Sequence, residues 1–284
     1  MDTLVGAQPE RDLDRVVPST HDSTSWPVMI CLLGSFHVLQ AGRPLPVRGG
    51  KSESLLCYLA LHPALGVPGS TLREALWPAS DAIMAGEALH SRVYNLHKLL
   101  GPMIGGAAPV VHTDGCYRLN DAAGIGVDVS CFDALATSGD RLAREGRGRE
   151  AAVAYQHATQ LYNGDLCVAT DLHAVVERER LRARYLDLLA TLAADSYGTE
   201  DDAACLAYAG RMLQHDPCRE DAHRLIMRCY LRRDQRAQAL HQFRVCQNIL
   251  RAEFDAAPEP ATVALFEQIR LDPASVASAS RKHR

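Results

Sequence analysis

The chain lacks a surplus of charge of either sign: 30 Lys and Arg stand against 34 Asp and Glu, a net of -4 over 284 residues. No global basic field exists, so any nucleic-acid binding must come from a local patch or from self-association. The nine cysteines include no Cys-x-x-Cys pair. Without clustered ligands, a zinc site is not indicated. Cys31 in MICLL, Cys57 in LLCYLAL and Cys229 in IMRCYL lie in apolar runs, which predicts reduced, buried thiols of a cytoplasmic protein. No apolar run approaches the roughly 20 residues that span a bilayer. Residues 1–26 are polar and lack the basic start and apolar stretch of a signal peptide. Gly-x-Ser-x-Gly, His-Glu-x-x-His and kinase signatures are missing. GGKS at Gly49–Ser52 is not a phosphate loop, because the required first glycine is Leu45. The expectation is a non-enzymatic protein without cofactor or metal.

What is present is an ordered series of short elements. VMICLLG from Val28 and SFHVLQ read as strands, Ala41–Pro44 as a turn, and LPV as a third strand. Leu55, Leu56, Leu59 and Ala60 form a helical stripe that starts at Lys51 and ends before Pro63. A second helix is predicted over 71–77, with Thr71 and Glu74 at capping-box spacing and Pro78 as its stop. A third runs from Asp81 to Leu100. Val110–His112 and Cys116–Leu119 are the arms of a hairpin, with Thr113–Gly115 at its turn. A helix with a polar face followed by a hairpin is the layout of a winged helix-turn-helix.

After Gly126 the chain turns helical, and a repeat emerges. Cys205, Ala209 and Met212 precede Ala239, Phe243 and Cys246 by 34 residues, and Ala151, Tyr155 and Ala158 show the same spacing. Small, aromatic and small residues at that period indicate tetratricopeptide-like helix hairpins. The fold class is therefore an α+β winged helix-turn-helix domain followed by an all-α tetratricopeptide-like repeat domain. The expected division is an arm at 1–26, a winged helix at 27–125, a helical repeat domain at 126–272 and a basic tail at 273–284.

These residues resemble a family. LLGSFHVLQAGRPLPV, GKSESLLCYLALHP, LREALWP, EALHSRVYNLHKLLG and GCYRL are similar to the OmpR-like winged helix of SARP-type bacterial transcriptional activators. VDVSCFDAL, YNGDL, ERERLRARYLDLL and above all HDPCREDAHRLIMRCYLRRDQRAQALHQF resemble their bacterial transcriptional activation domain. The resemblance spans about residues 28–272. It implies binding of double-stranded promoter DNA, contact with RNA polymerase and a homodimer, with activation as the outcome. Relatives carry an Arg pair where His97 and Lys98 stand here.

On the third helix, Leu89, Val93, Leu96 and Leu100 fall on one side, the expected core. Glu87, Ser91, Tyr94, Asn95 and Lys98 lie opposite, flanked by His90, Arg92 and His97. Asn reads adenine bidentately, and Lys or Arg reaches guanine or phosphate. The candidate DNA-binding residues are His90, Ser91, Arg92, Tyr94, Asn95 and Lys98, with Thr113 and Arg118 on the hairpin. Tyr117 is read as hairpin packing. Lys51 fits a backbone contact or a plain solvated lysine.

Residues 28–125 hold seven Lys and Arg against six Asp and Glu, a net of +1. Residues 128–272 hold 18 against 23, a net of -5, so this part is not a nucleic-acid binder by itself. The Arg178–Arg184 and Arg232–Arg236 runs are expected to be solvated helix faces, as are His215 and His223 near Asp216. A rival reading is a protein-interaction adapter with a degenerate winged helix, motivated by Glu87 and Asp114.

Overall fold

Two-residue turns and a long apolar stripe set the first elements. The computed structural model describes residues 26–47, 50–63, 66–168 and 172–271. The predicted arm, Trp26 excepted, the tail and part of GGKS lie outside them. The described residues form two units, one from 26–30 and 37–130 and the other from 31–36 and 131–271.

β1 (Val28–Cys31, all but its last residue in the first unit), β2 (His37–Gln40) and β3 (Arg43–Leu45) form a sheet in the order β3-β2-β1-β7, with β7 at Ile125–Val127. The third strand is Arg43–Leu45, not LPV. Ala41 and Gly42 both have positive φ, so they alone form the turn and put Gln40 opposite Arg43. β7 pairs parallel to β1, with Val28 beside Ile125 and Ile30 beside Val127. Trp26, expected in a loose arm, lies over Gly126, where any Cβ would come within 2.6 Å of its ring.

The helices of this unit are α1 (Lys51–Ala60), α2 (Gly69–Leu76) and α3 (Ala82–Leu100). Leu55, Leu56 and Leu59 of α1, Leu72 of α2 and Leu89, Leu96 and Leu100 of α3 are all buried. The Thr71–Glu74 capping box does not form. A short strand, β4 (Val67–Pro68), pairs with β6 (Cys116–Leu119) and starts α2 at Gly69, so Thr71 already lies inside the helix. β5 (Val110–Thr113) completes a three-stranded sheet in the order β4-β6-β5.

The second unit contains α4 (Asp128–Arg144), α5 (Gly148–Leu161), α6 (Leu172–Gly198), α7 (Asp202–His215), α8 (Glu220–Arg232), α9 (Arg236–Phe254) and α10 (Pro260–Leu271). Residues 31–36 join it through a main-chain ladder. Cys167 N–H donates to Leu32 O at 2.9 Å, and Gly34 N–H donates to Asp165 O at 3.0 Å. The repeat positions Ala151, Tyr155, Ala158, Cys205, Ala209, Met212, Ala239, Phe243 and Cys246 are all buried. The 34-residue period is thus the spacing of core side chains on successive first helices of hairpins.

The arginine runs are only partly solvated faces: Arg180, Arg233 and Arg236 are exposed, and Arg180 pairs with Glu177 one turn before it, but most of these side chains also reach other segments. Arg178 donates to the carbonyls of Leu166 (3.0 Å) and Val168 (2.8 Å), and Arg182 donates to that of His215. Arg180 and Arg184, one turn apart, reach Asp133 and Asp140 of α4. Arg232 binds Asp202 and the Tyr197 carbonyl, with its guanidinium 3.8 Å from the Tyr197 ring centre. Arg236 binds the Ile269 carbonyl at 3.1 Å. Arg182, Arg232 and Arg236 thus satisfy carbonyls that helix ends leave free, Arg178 holds the segment between α5 and α6, and Arg180 and Arg184 tie α6 to carboxylates of α4.

His223 also departs from the solvated reading, because it is fully buried. Its Nε2–H donates to the Pro217 carbonyl (3.0 Å), while Nδ1 accepts from the Gln242 amide (2.7 Å). That arrangement suits the neutral ring. His215 packs edge-on against Tyr162 and Tyr185. Burial lowers the pKa of both histidines. At His223 it outweighs the Pro217 carbonyl, Glu220 and Asp221, which act in the opposite direction.

The unfolded chain, with ordinary histidines near about 6.5, then takes up protons that the folded chain refuses. Stability present above that pH is lost as the pH falls below it. Urea unfolding at pH 7.5 and pH 5.5 is predicted to show a lower midpoint at pH 5.5. The drop should be smaller in His223→Gln. An equal drop in both proteins would remove His223 from the account.

Candidate nucleic-acid interface

α3 begins with a side-chain cap. One Asp81 carboxylate oxygen accepts from the Ile83 and Met84 N–H groups, both at 2.9 Å. From there 19 residues run without interruption, because Ala85, Leu89, Leu96 and Leu100 keep one side buried. Val93, read as core, is only half-buried. The opposite side is open: Glu87, His90, Ser91, Arg92, Tyr94, Asn95, His97 and Lys98 are all exposed. Tyr94 is 68% exposed, so its ring makes no contribution to the core of this unit. Lys98 lies in the last turn, where a cation complements the helix dipole.

The hairpin is closed by Asp114 and Gly115, at φ 53° and 78°. Positive φ at both positions is the two-residue type I′ geometry that matches the strand twist. Its turn is held from the side: Gly69 N–H, at the start of α2, donates to Gly115 O at 3.0 Å. At its base, the Asn120 amide donates to Ala108 O at 2.8 Å. Thr113 and Arg118 are exposed, as a wing contact requires. Tyr117 is buried and stacks on His112 with ring centres 4.2 Å apart, which fits the packing reading. Burial pushes its phenol pKa up, and Arg73 partly offsets this.

Arg73 was missed by sequence reasoning. It lies half-buried on α2, where a Cβ at Gly69 would sit 3.5 Å from its guanidinium and one at Gly86 would sit 4.0 Å from its stem. A small residue at Gly86 of α3, facing α2, was the available signal. The arginine therefore belongs to the same patch as the hairpin turn and the first turns of α3.

The two units differ in the share of their cations that is ion-paired, although the second unit also keeps exposed arginines such as Arg149 and Arg244 unpaired among the described residues. Arg141, Arg147, Arg180, Arg184, Arg219, Arg224, Arg232 and Arg270 of the second unit are ion-paired. In the first unit Arg43, Lys51, Arg73, Arg92, Lys98 and Arg118 form no ion pair among the described residues. Net charge hides this difference. A solvated, unpaired guanidinium remains available to a phosphate, whereas one bound to a carboxylate does not.

Residues 127–270 match the family model described as bacterial transcriptional activator domain. The chain belongs to the bacterial transcriptional activator domain family. The solved structure of Mycobacterium tuberculosis EmbR in complex with low affinity phosphopeptide superposes with a TM-score of 0.67 at 23% identity, covering 90% of this chain and 69% of that one. At that identity the likeness establishes fold: a winged helix-turn-helix followed by a helical repeat domain. No match is found among curated proteins.

Membership of the bacterial transcriptional activator domain family makes the chain a transcriptional activator of the SARP type. No described helix is long and apolar enough to cross a membrane. His215, Asp216 and His223 do not converge as a metal site, and no group of three such ligands is found among the described residues.

Proposed function

We propose that the region 27–125 of this activator binds double-stranded promoter DNA, with α3 in the major groove and the β5–β6 hairpin on the adjacent backbone. His90, Ser91, Tyr94 and Asn95 face the base edges, Asn95 reading adenine. Arg92, Lys98, Thr113 and Arg118 meet phosphates, and Arg73 adds a further cation beside the hairpin turn. Region 126–272, with its negative balance and many of its arginines ion-paired or bound to carbonyls, supplies protein contacts: a second copy of the chain, and RNA polymerase. The protein acts in the cytoplasm as a regulator rather than an enzyme.

The observation that carries this reading is the set of unpaired cations around one wholly exposed helix face. Mutual pairing of acids and bases would have left a near-neutral surface with nothing to offer a phosphate. Glu87 and Asp114 stay on that surface and lower non-specific affinity, so selectivity should exceed what raw affinity suggests.

The test is competition. Purified full-length protein is bound to the genomic region preceding its own gene and challenged with a scrambled duplex. The specific fragment should survive at least a tenfold excess of scrambled competitor. Absence of preference for any genomic fragment would favour the adapter reading instead.

A further inference from the structure

The first two turns of α3 carry side chains that the phosphate and adenine contacts leave unused. Met84 is 59% exposed and Ile83 is 77% exposed, on a helix whose other side is well buried. At about 100° per residue, Met84 lies on the same line as Ser91 and within about 60° of Glu87. Ile83 flanks it. The apolar pair therefore continues the exposed face on which Ser91 and Asn95 stand.

Two features say what can cover this stretch. The Asp81 carboxylate already occupies the N–H groups of Ile83 and Met84. This end of the helix thus presents an acid and two alkyl side chains, and does not suit a phosphate. Glu87 is exposed and has no ion pair among the described residues. Beside a phosphate backbone an unpaired carboxylate is repelled unless it accepts from a base amino group. In the major groove that group is the cytosine N4 amine, and the apolar feature is the thymine 5-methyl. The unpaired cations Arg73, Arg92 and Lys98 surround the same face and supply the charge complementarity that a duplex needs.

We infer that Met84 and Ile83 read thymine methyl groups and Glu87 an adjacent cytosine, so that the leading half of α3 selects a thymine–cytosine step. Met84 and Glu87 are separated by about 4.5 Å along the helix, comparable with the roughly 3.4 Å rise between bases of one strand. The inference rests on the proposed placement of α3 in the major groove.

Deoxyuridine tests it, because it pairs as thymidine does and lacks only the 5-methyl. The upstream duplex is prepared once with thymidine and once with deoxyuridine throughout, and both are titrated with the full-length protein and with Ile83→Ala/Met84→Ala. Both substituted positions are exposed, so the variant retains the fold. Wild type should bind the uracil duplex more weakly by roughly fourfold for each methyl contacted. The variant should bind both duplexes alike. In duplexes selected from a random pool, Glu87→Gln should lose the preference for cytosine beside the thymine.

Equal binding of both duplexes by wild type, with selectivity over scrambled DNA intact, overturns this inference and leaves the major-groove reading standing. A change in oligomeric state of the Ile83→Ala/Met84→Ala variant, with the two duplexes still bound alike, assigns the apolar pair to a second copy of the chain and also overturns it. Failure of wild type to select any duplex overturns both readings.

Discussion

Replacing Asn95 and Lys98 together with alanine should weaken binding to the specific duplex by a hundredfold or more and leave the fold unchanged. Both side chains are exposed on α3, and alanine is the best helix former, so the substitutions remove recognition without opening the core. A bidentate amide–adenine pair contributes about 1–3 kcal/mol of discrimination, and a lysine contact in the groove or on the backbone adds to it. Equilibrium binding by fluorescence anisotropy, with circular dichroism as the control on folding, checks the expectation. A double variant that binds as wild type does would mean that α3 is not the reading helix.

Phe243→Ala should destabilise the helical repeat domain by about 3–5 kcal/mol, the usual range for deleting a core aromatic ring. Phe243 is buried among Met227, Leu231, Ala239, Leu265 and Ile269. Its ring stacks on Phe266 with centres 4.1 Å apart. The ring thus joins α8, α9 and α10, and alanine leaves a cavity that helices fixed at their ends by Arg224 and Arg236 cannot readily close. Urea denaturation followed at 222 nm measures the loss. A shift of under about 1 kcal/mol would indicate that the three helices repack freely around the vacancy.

The parts of this structure that were legible in the sequence are those with a long period. The buried side of α3 repeats over five turns, and the repeat-domain core recurs at 34 residues, so the sequence pattern alone places Leu89, Leu96, Ala209 and Phe243 in the core. β4 and β7 were not legible. They are two and three residues long, too short for alternation to show, and their partners lie about 50 and 97 positions away in sequence. Partners in other segments also hid the arginine clamps. Arg178 and Arg182 look like one stripe of a solvated face, yet they end on carbonyls of other segments.

His223 was misread for a related reason. Its partners Pro217 and Gln242 form a buried polar pocket that no local pattern announces. At the candidate interface, exposure followed from the helical period, whereas the freedom of its cations did not. Pairing depends on three-dimensional neighbours, and only the structure separates the unpaired Arg92 and Arg118 from the paired Arg180 and Arg184.

The salt dependence of binding to the upstream duplex tests the central claim most directly. Arg73, Arg92, Lys98 and Arg118 give about four phosphate contacts per protomer, and a slope near -0.9 per contact predicts a roughly 150-fold loss of affinity between 50 and 200 mM salt. Arg92→Ala/Arg118→Ala should reduce that slope by about two. A slope close to zero, or one that the double substitution leaves unchanged, would contradict the account.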